Sequence, residues 1–87
     1  MYVIVVYDIT EVKKQLKIRN FLRRFLNHIQ FSVFHGNLNP SQLKEIELFL
    51  KDFDYEGNDS VVVFIVPIYS NIRNLVFGRN IEKSNII

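Results

Sequence analysis

The chain has no cysteine, only two prolines and only three glycines in 87 residues. Without thiols there can be no disulfide staple, no metal–thiolate site and no thiolate nucleophile. The glycines at positions 36, 57 and 78 are too scattered to form a phosphate-cradling loop. No Gly-x-Ser-x-Gly elbow or Ser/His/Asp set stands out either. Long apolar runs are also missing: the longest, Val61 to Ile68, is far short of the roughly 20 residues a bilayer-spanning helix needs. The start carries no basic segment followed by a small-residue cleavage site, so the expectation is a cytoplasmic protein with no membrane partner. The two histidines, His28 and His35, fall on opposite faces of an extended stretch and do not form a zinc pair. They read as surface or edge residues.

What is present describes a folded domain. The apolar fraction is 48% and the aromatic fraction 14%, with eight Phe, which argues against disorder. A chain this small buries a modest share of its surface, so stability gained by pairing with a second copy is expected. Net charge is only +2, but it is unevenly spread. Residues 11–30 carry Lys13, Lys14, Lys17, Arg19, Arg23 and Arg24 against Glu11 alone. Residues 41–60 carry six acids (Glu45, Glu47, Asp52, Asp54, Glu56, Asp59) against Lys44 and Lys51. Such asymmetry suits attraction of a polyanion to one part of the molecule, or two solvated helix faces of opposite sign.

Tyr2 to Tyr7 is an unbroken apolar and aromatic run closed by Asp8, and it reads as a central strand buried on both faces. Alternation places Ile4, Val6 and Asp8 on one face and Val3, Val5 and Tyr7 on the other. Asp8 therefore continues a line of core residues. A carboxylate there must be hydrogen-bonded, paired or bound to a cation. Thr10 is placed to cap a helix running to about Asn27, with Ile18, Phe21, Leu22, Phe25 and Leu26 on one arc. Residues 28–38 alternate as β structure, either one long strand or two short ones, with Gly36 hinting at a bulge. Asn39-Pro40-Ser41-Gln42 is a helix start with a capping box. Ser60 to Val66 reads as a second buried, central strand, followed by a helical turn near 71–75 and a short edge strand at 76–77. The order predicts an α+β, ferredoxin-like βαββαβ domain over 1–78, with an antiparallel sheet and two helices on one face. Residues 79–87 form a tail whose Ile81, Ile86 and Ile87 suit docking on a partner subunit. The apolar face opposite the helices needs a cover, and a second copy would supply one. Phe31 and Phe34 could stack on bases as in an RNA-recognition module, but that module's glycine-containing aromatic strand motif is absent.

Asp8 remains the principal candidate for chemistry. Its bland role is a turn or cap former; its functional role is a magnesium ligand, since magnesium commonly takes one or two carboxylates and keeps several waters. Two copies of Asp8 across a two-fold axis would provide the pair. At this point the residues resemble a known family: the small CRISPR-associated adaptation protein that partners the CRISPR integrase and is often described as an endoribonuclease. The resemblance rests on Tyr7-Asp8-Ile9 closing the first strand, on Gln30-Phe31-Ser32-Val33-Phe34, on the Asn39-Pro40 helix start and on Asp59-Ser60-Val61-Val62. It covers Met1 to about Phe77.

The resemblance implies a homodimer in which both Asp8 side chains bind one magnesium ion, with a C-terminal extra strand that joins the partner's sheet. It also implies a role for Phe34 in cleavage and phosphate contacts by Lys13, Lys14, Lys17 and Arg19; in a nuclease, Tyr7 or Phe34 would position the substrate. The chain departs from the family pattern at Leu26, His28 and His35, where Gly, Arg and Glu are usual, and at Thr10-Glu11-Val12. Two functions follow as expectations. One is a magnesium-dependent endonuclease acting on RNA or DNA with Asp8 as the catalytic ligand. The other is a non-catalytic dimeric adaptor that bridges integrase subunits and binds duplex DNA.

Overall fold

The computed structural model describes residues 1–66, 75, 77 and 78. The helical turn expected near 71–75, the edge strand expected at 76–77 and the tail 79–87 rest on residues outside this set. Six elements follow in the order β1 (Tyr2–Asp8), α1 (Val12–Leu22), β2 (Asn27–Gln30), β3 (Val33–Asn37), α2 (Pro40–Lys51) and β4 (Ser60–Val66). The strands form one antiparallel sheet in the order β2-β3-β1-β4. This is the ferredoxin-like arrangement, and both helices bury their apolar faces against the same side of the sheet.

Alternation along β1 decides which side. Val3, Val5, Tyr7 and Ile9 are buried, and they share a core with Ile18 and Leu22 of α1 and with Leu43, Ile46 and Leu50 of α2. The helices also meet each other directly, where the Phe21 and Phe49 rings stack with centroids 3.8 Å apart. On the other side of the sheet Ile4 is half-buried, Val6 is 36% exposed and Asp8 is exposed. The helices cover only one face, so Asp8 does not extend the core of a single chain. It stands on the open face, beside Ser60 of β4.

Four further expectations are corrected. β4 is an edge strand rather than a central one: it pairs with β1 alone among the described strands, and Val62, Phe64 and Ile65 are 45–55% exposed. Its apolar composition reflects an uncovered surface, not a buried one. Helix α1 ends at Leu22 rather than near Asn27, because Arg24 and Phe25 donate to carbonyls three residues back and tighten the last turn. Leu26 still reaches the core from that turn, at 5% exposure. Thr10 does not cap α1, and the N-cap position, Glu11, makes no side-chain cap bond. The Thr10 N–H instead donates to Asp59 Oδ1 (2.9 Å), tying the β1 exit to the loop before β4.

The fourth correction concerns the histidines. His28 and His35 are buried, at 4% and 1% exposure, not surface residues. They do lie on opposite faces: His28 is paired with Phe34, while His35 is paired with Ile4. The stretch 28–38 resolves into two strands joined by a tight turn at Phe31-Ser32, with the irregularity between His28 and Gln30 rather than at Gly36. Gly36 stays in register with Val3. A Cβ there would meet Leu26 Cδ2 at 3.2 Å, so the glycine admits close packing by Leu26. The capping box of α2 forms as predicted: Asn39 Oδ1 accepts from the Gln42 N–H (2.8 Å), and Gln42 Oε1 accepts from the Asn39 N–H (3.0 Å).

Candidate nucleic-acid cleft

A cleft of about 270 Å³ opens where β1 leaves the sheet, between the start of α1 and the β2–β3 turn. Tyr7, Asp8 and Ile9 form its floor, Gln15 and Arg19 come from α1, and Phe31 and Ser32 come from the turn. Backbone bonds fix the geometry. The Tyr7 N–H donates to the Ser32 carbonyl (3.1 Å), and Gln15 Nε2 donates to the Ile9 carbonyl (2.6 Å). The first bond holds the hairpin tip against the strand end. The second holds α1 over the point where the chain turns.

Asp8 is exposed at this site, and among the described residues its carboxylate has no ion pair. The same holds for the half-buried Arg19, which places one guanidinium against the cleft. Tyr7 is 6% exposed. Burial pushes its phenol above the ordinary value, while the positive charges of Arg19 and Arg23 pull it back. The hydroxyl therefore stays protonated at neutral pH. Its ring belongs to the core, so Tyr7 reaches the cleft with little of its surface.

Phe34 is not in the cleft. It is fully buried, with its ring stacked on His28 (centroids 4.5 Å apart) and lying parallel to Tyr7 (6.3 Å). Pairing with Val5 turns it toward the helices, so it cannot touch a substrate in the folded chain. The substrate role that the resemblance implied for Phe34 thus meets a ring enclosed in the core. The aromatic that the turn presents is Phe31, 77% exposed.

The basic residues of α1 also divide. Lys14 Nζ is bonded to Glu56 and lies 3.1 Å from Asp54 Oδ2, and the Glu56 bond foremost raises its pKa to about 12. It anchors the acidic loop and is not offered to phosphate. Lys17 sits 5.8 Å from the Phe53 ring centroid and lines a groove between the helices that includes Asp52. Lys13 is exposed in the first turn. Arg24 approaches Glu45 (3.6 Å) and packs over Phe21 and Phe25. The basic and acidic segments thus partly neutralise each other instead of forming two poles. Of the four cations expected at phosphate, Arg19 alone lines the cleft.

The magnesium expectation can be set against these donors. Among the described residues no group of three or more His, Asp or Glu side chains converges. The cleft is lined by a single carboxylate, Asp8, which fits half of a two-carboxylate magnesium site. The open face beside it is apolar, with Val6, Val62 and Phe64 exposed.

The fold and this cleft define a small ferredoxin-like protein that presents one carboxylate, one guanidinium and one aromatic ring at the exit of its first strand. Comparison with known families is specific. Residues 1–71 match the family model described as CRISPR associated protein Cas2, and the chain belongs to that family. It is 42% identical over 81 residues to a protein of Nanoarchaeum equitans named CRISPR-associated endoribonuclease Cas2, covering 92% of this chain and 87% of the relative. A protein of the same family name from Archaeoglobus fulgidus is 39% identical over 83 residues, covering 95% and 87%. A crystal structure of a Cas2 superposes with a TM-score of 0.79 at 40% identity, covering 93% of this chain and 90% of the other. Cas2 of Streptococcus pyogenes at pH 6.5 shares the fold, with a TM-score of 0.67 at 22% identity over 76% of this chain and 86% of that one.

Gln15 is the cleft residue that the sequence did not single out, and Phe31 entered only as one of two aromatics that could stack on bases. A glutamine six residues past the strand end carries no signal in sequence. Phe31 was visible as an aromatic, but only the turn makes it exposed.

Proposed function

We propose that this chain is a CRISPR-associated endonuclease that works as a homodimer on RNA or DNA phosphodiesters. The observation that carries the reading is Asp8: an accessible carboxylate, free of ion pairing among the described residues, at a strand-end cleft that Arg19 also lines. The names of the curated relatives, endoribonucleases at 39–42% identity, support the reaction class. The exposed Val6, Val62 and Phe64 next to Asp8 support a second copy packed on the open face, which would bring two Asp8 side chains together.

In that dimer the two Asp8 carboxylates would hold magnesium. When bound, the ion supplies positive charge against the charge that develops on the phosphate and makes water more acidic. The chain's own residues do the rest. Arg19 holds a phosphate oxygen, and its planar fork favours a bidentate grip. The neutral Tyr7 hydroxyl donates a hydrogen bond at the cleft floor. Gln15 keeps α1 in register with the strand end. Neither imidazole is placed to accept a proton: His28 is bonded to the Phe31 carbonyl and His35 to the Tyr2 hydroxyl. The proton of the attacking water then goes to solvent, and slow turnover is expected.

That lack of a base favours a second reading, a dimeric adaptor that bridges integrase subunits on duplex DNA. One experiment separates them. Labelled RNA and duplex DNA are incubated with wild type and Asp8→Asn, with magnesium and with chelator, across pH. Metal-dependent cleavage that disappears in Asp8→Asn supports the nuclease. Integration that survives in Asp8→Asn, with no cleavage by either protein, supports the adaptor.

A further inference from the structure

We infer that Phe31 is a base-stacking platform, and that with Arg19 and Asp8 it forms a one-nucleotide site taking an unpaired nucleotide. The inference rests on the reading of the chain as a nucleic-acid-processing protein and goes beyond it by assigning the residue that selects the state of the substrate.

Phe31 is disfavoured at its position on two counts. Its ring is 77% exposed, and its backbone is in the left-handed region, with φ 41°, which a bulky side chain rarely adopts. Asn or Gly would suit the turn with less strain and without an apolar ring in water. Such outliers persist where surrounding structure enforces them. Here it does so visibly. The Phe31 carbonyl can only accept, so His28 Nε2 carries the hydrogen and donates to it. Arg23 can only donate, and its Nη2 lies 3.4 Å from His28 Nδ1. Both contacts are made by an imidazole that is itself clamped by stacking on Phe34. The buried His28, contacted from the surface by the exposed Arg23, thus holds the backbone of the hairpin tip, and the Tyr7–Ser32 backbone bond holds the tip to β1.

The ring so held borders the same cleft as Arg19 and Asp8. A flat apolar surface, a guanidinium and a carboxylate within about 270 Å³ match a base, a phosphate and the bond to be broken. The cleft is too small for a helical duplex, and a base can lie on Phe31 only after leaving its stack. Arg19 then fixes the adjoining phosphate near Asp8. Phe31 would act by positioning, so it should govern which strands bind and have little effect on the chemistry of a bound one.

The chain has no tryptophan, so a Phe31→Trp variant carries a single indole reporter at the tip. The full chain is titrated with a short single-stranded RNA and with the same sequence as a duplex. Strand addition should quench the Phe31→Trp fluorescence, and duplex should not. Phe31→Asn keeps a residue that tolerates the left-handed backbone and removes the ring. It should weaken single-strand binding by roughly 5- to 150-fold, the range for loss of one base–aromatic stack, and leave duplex affinity unchanged. Phe31→Tyr should restore binding, and Arg19→Ala in the Phe31→Trp background should weaken it while leaving the indole signal per bound strand intact. Sedimentation of each variant should match wild type. Three results would overturn the inference: unchanged single-strand affinity in Phe31→Asn, an equal loss for duplex, or a changed oligomeric state, which would make Phe31 an interface residue. If wild type binds nucleic acid and Phe31→Asn binds equally, only the platform is lost. If wild type binds neither form, the nucleic-acid reading itself falls with it.

Discussion

Phe34→Ala separates a folding residue from a substrate residue. Phe34 is fully enclosed by His28, Tyr7 and the helix-facing side of the sheet. Truncating a buried Phe to Ala typically removes about 3–5 kcal/mol through lost transfer energy and the cavity left behind. For 87 residues, 0.05–0.15 kcal/mol per residue puts total stability at about 4–13 kcal/mol, so the variant loses a large share. At about 4–8 °C per kcal/mol for a domain this size, the midpoint should fall by about 12–40 °C. Thermal unfolding followed by circular dichroism measures this, with urea unfolding for the free energy, at fixed protein concentration because the midpoint of any oligomer depends on it. Nucleic-acid binding by Phe34→Ala should track the folded fraction, and Phe34→Leu, which keeps most of the apolar volume, should bind like wild type. A Phe34→Ala protein with wild-type stability and abolished binding would refute the placement of Phe34 in the core.

Further outcomes are expected. Burial lowers the pKa of His35 from 6.5, so the unfolded chain takes up the proton first as pH falls. The stability this neutral imidazole contributes is complete above pH 6.5 and declines as pH drops toward its folded value; urea midpoints against pH should show the slope, and His35→Gln should flatten it. Asn39→Ala removes the α2 capping box and should cost about 1 kcal/mol in urea unfolding, with binding unchanged. Single alanine variants of the α1 cations should divide by salt dependence of binding. Arg19→Ala should reduce the log–log slope by about 0.7–0.9, while Lys14→Ala, already committed to Asp54 and Glu56, should leave it unchanged.

How much was legible in the chain depends on the range over which each residue's environment is set. Periodicity and capping are local, so β1, α2 with its Asn39 box, β4 and the order of elements could be read directly. The ordered motifs around Tyr7-Asp8-Ile9 and Gln30 to Phe34 were enough to point to the Cas2 family. Two outcomes lay beyond local pattern. An apolar strand looks the same whether it is central or at an edge, and only strand order put β4 at the edge with its valines in view. Alternation predicts faces along a strand, but a two-residue turn resets the count, so only the hairpin could bury Phe34 and expose Phe31. Charge shows the same divide. Lys14 and Lys17 are indistinguishable from Arg19 as entries in a basic helix. Which cation faces a phosphate was decided by the loop at 52–59, whose carboxylates come from 40 residues away and engage Lys14 first.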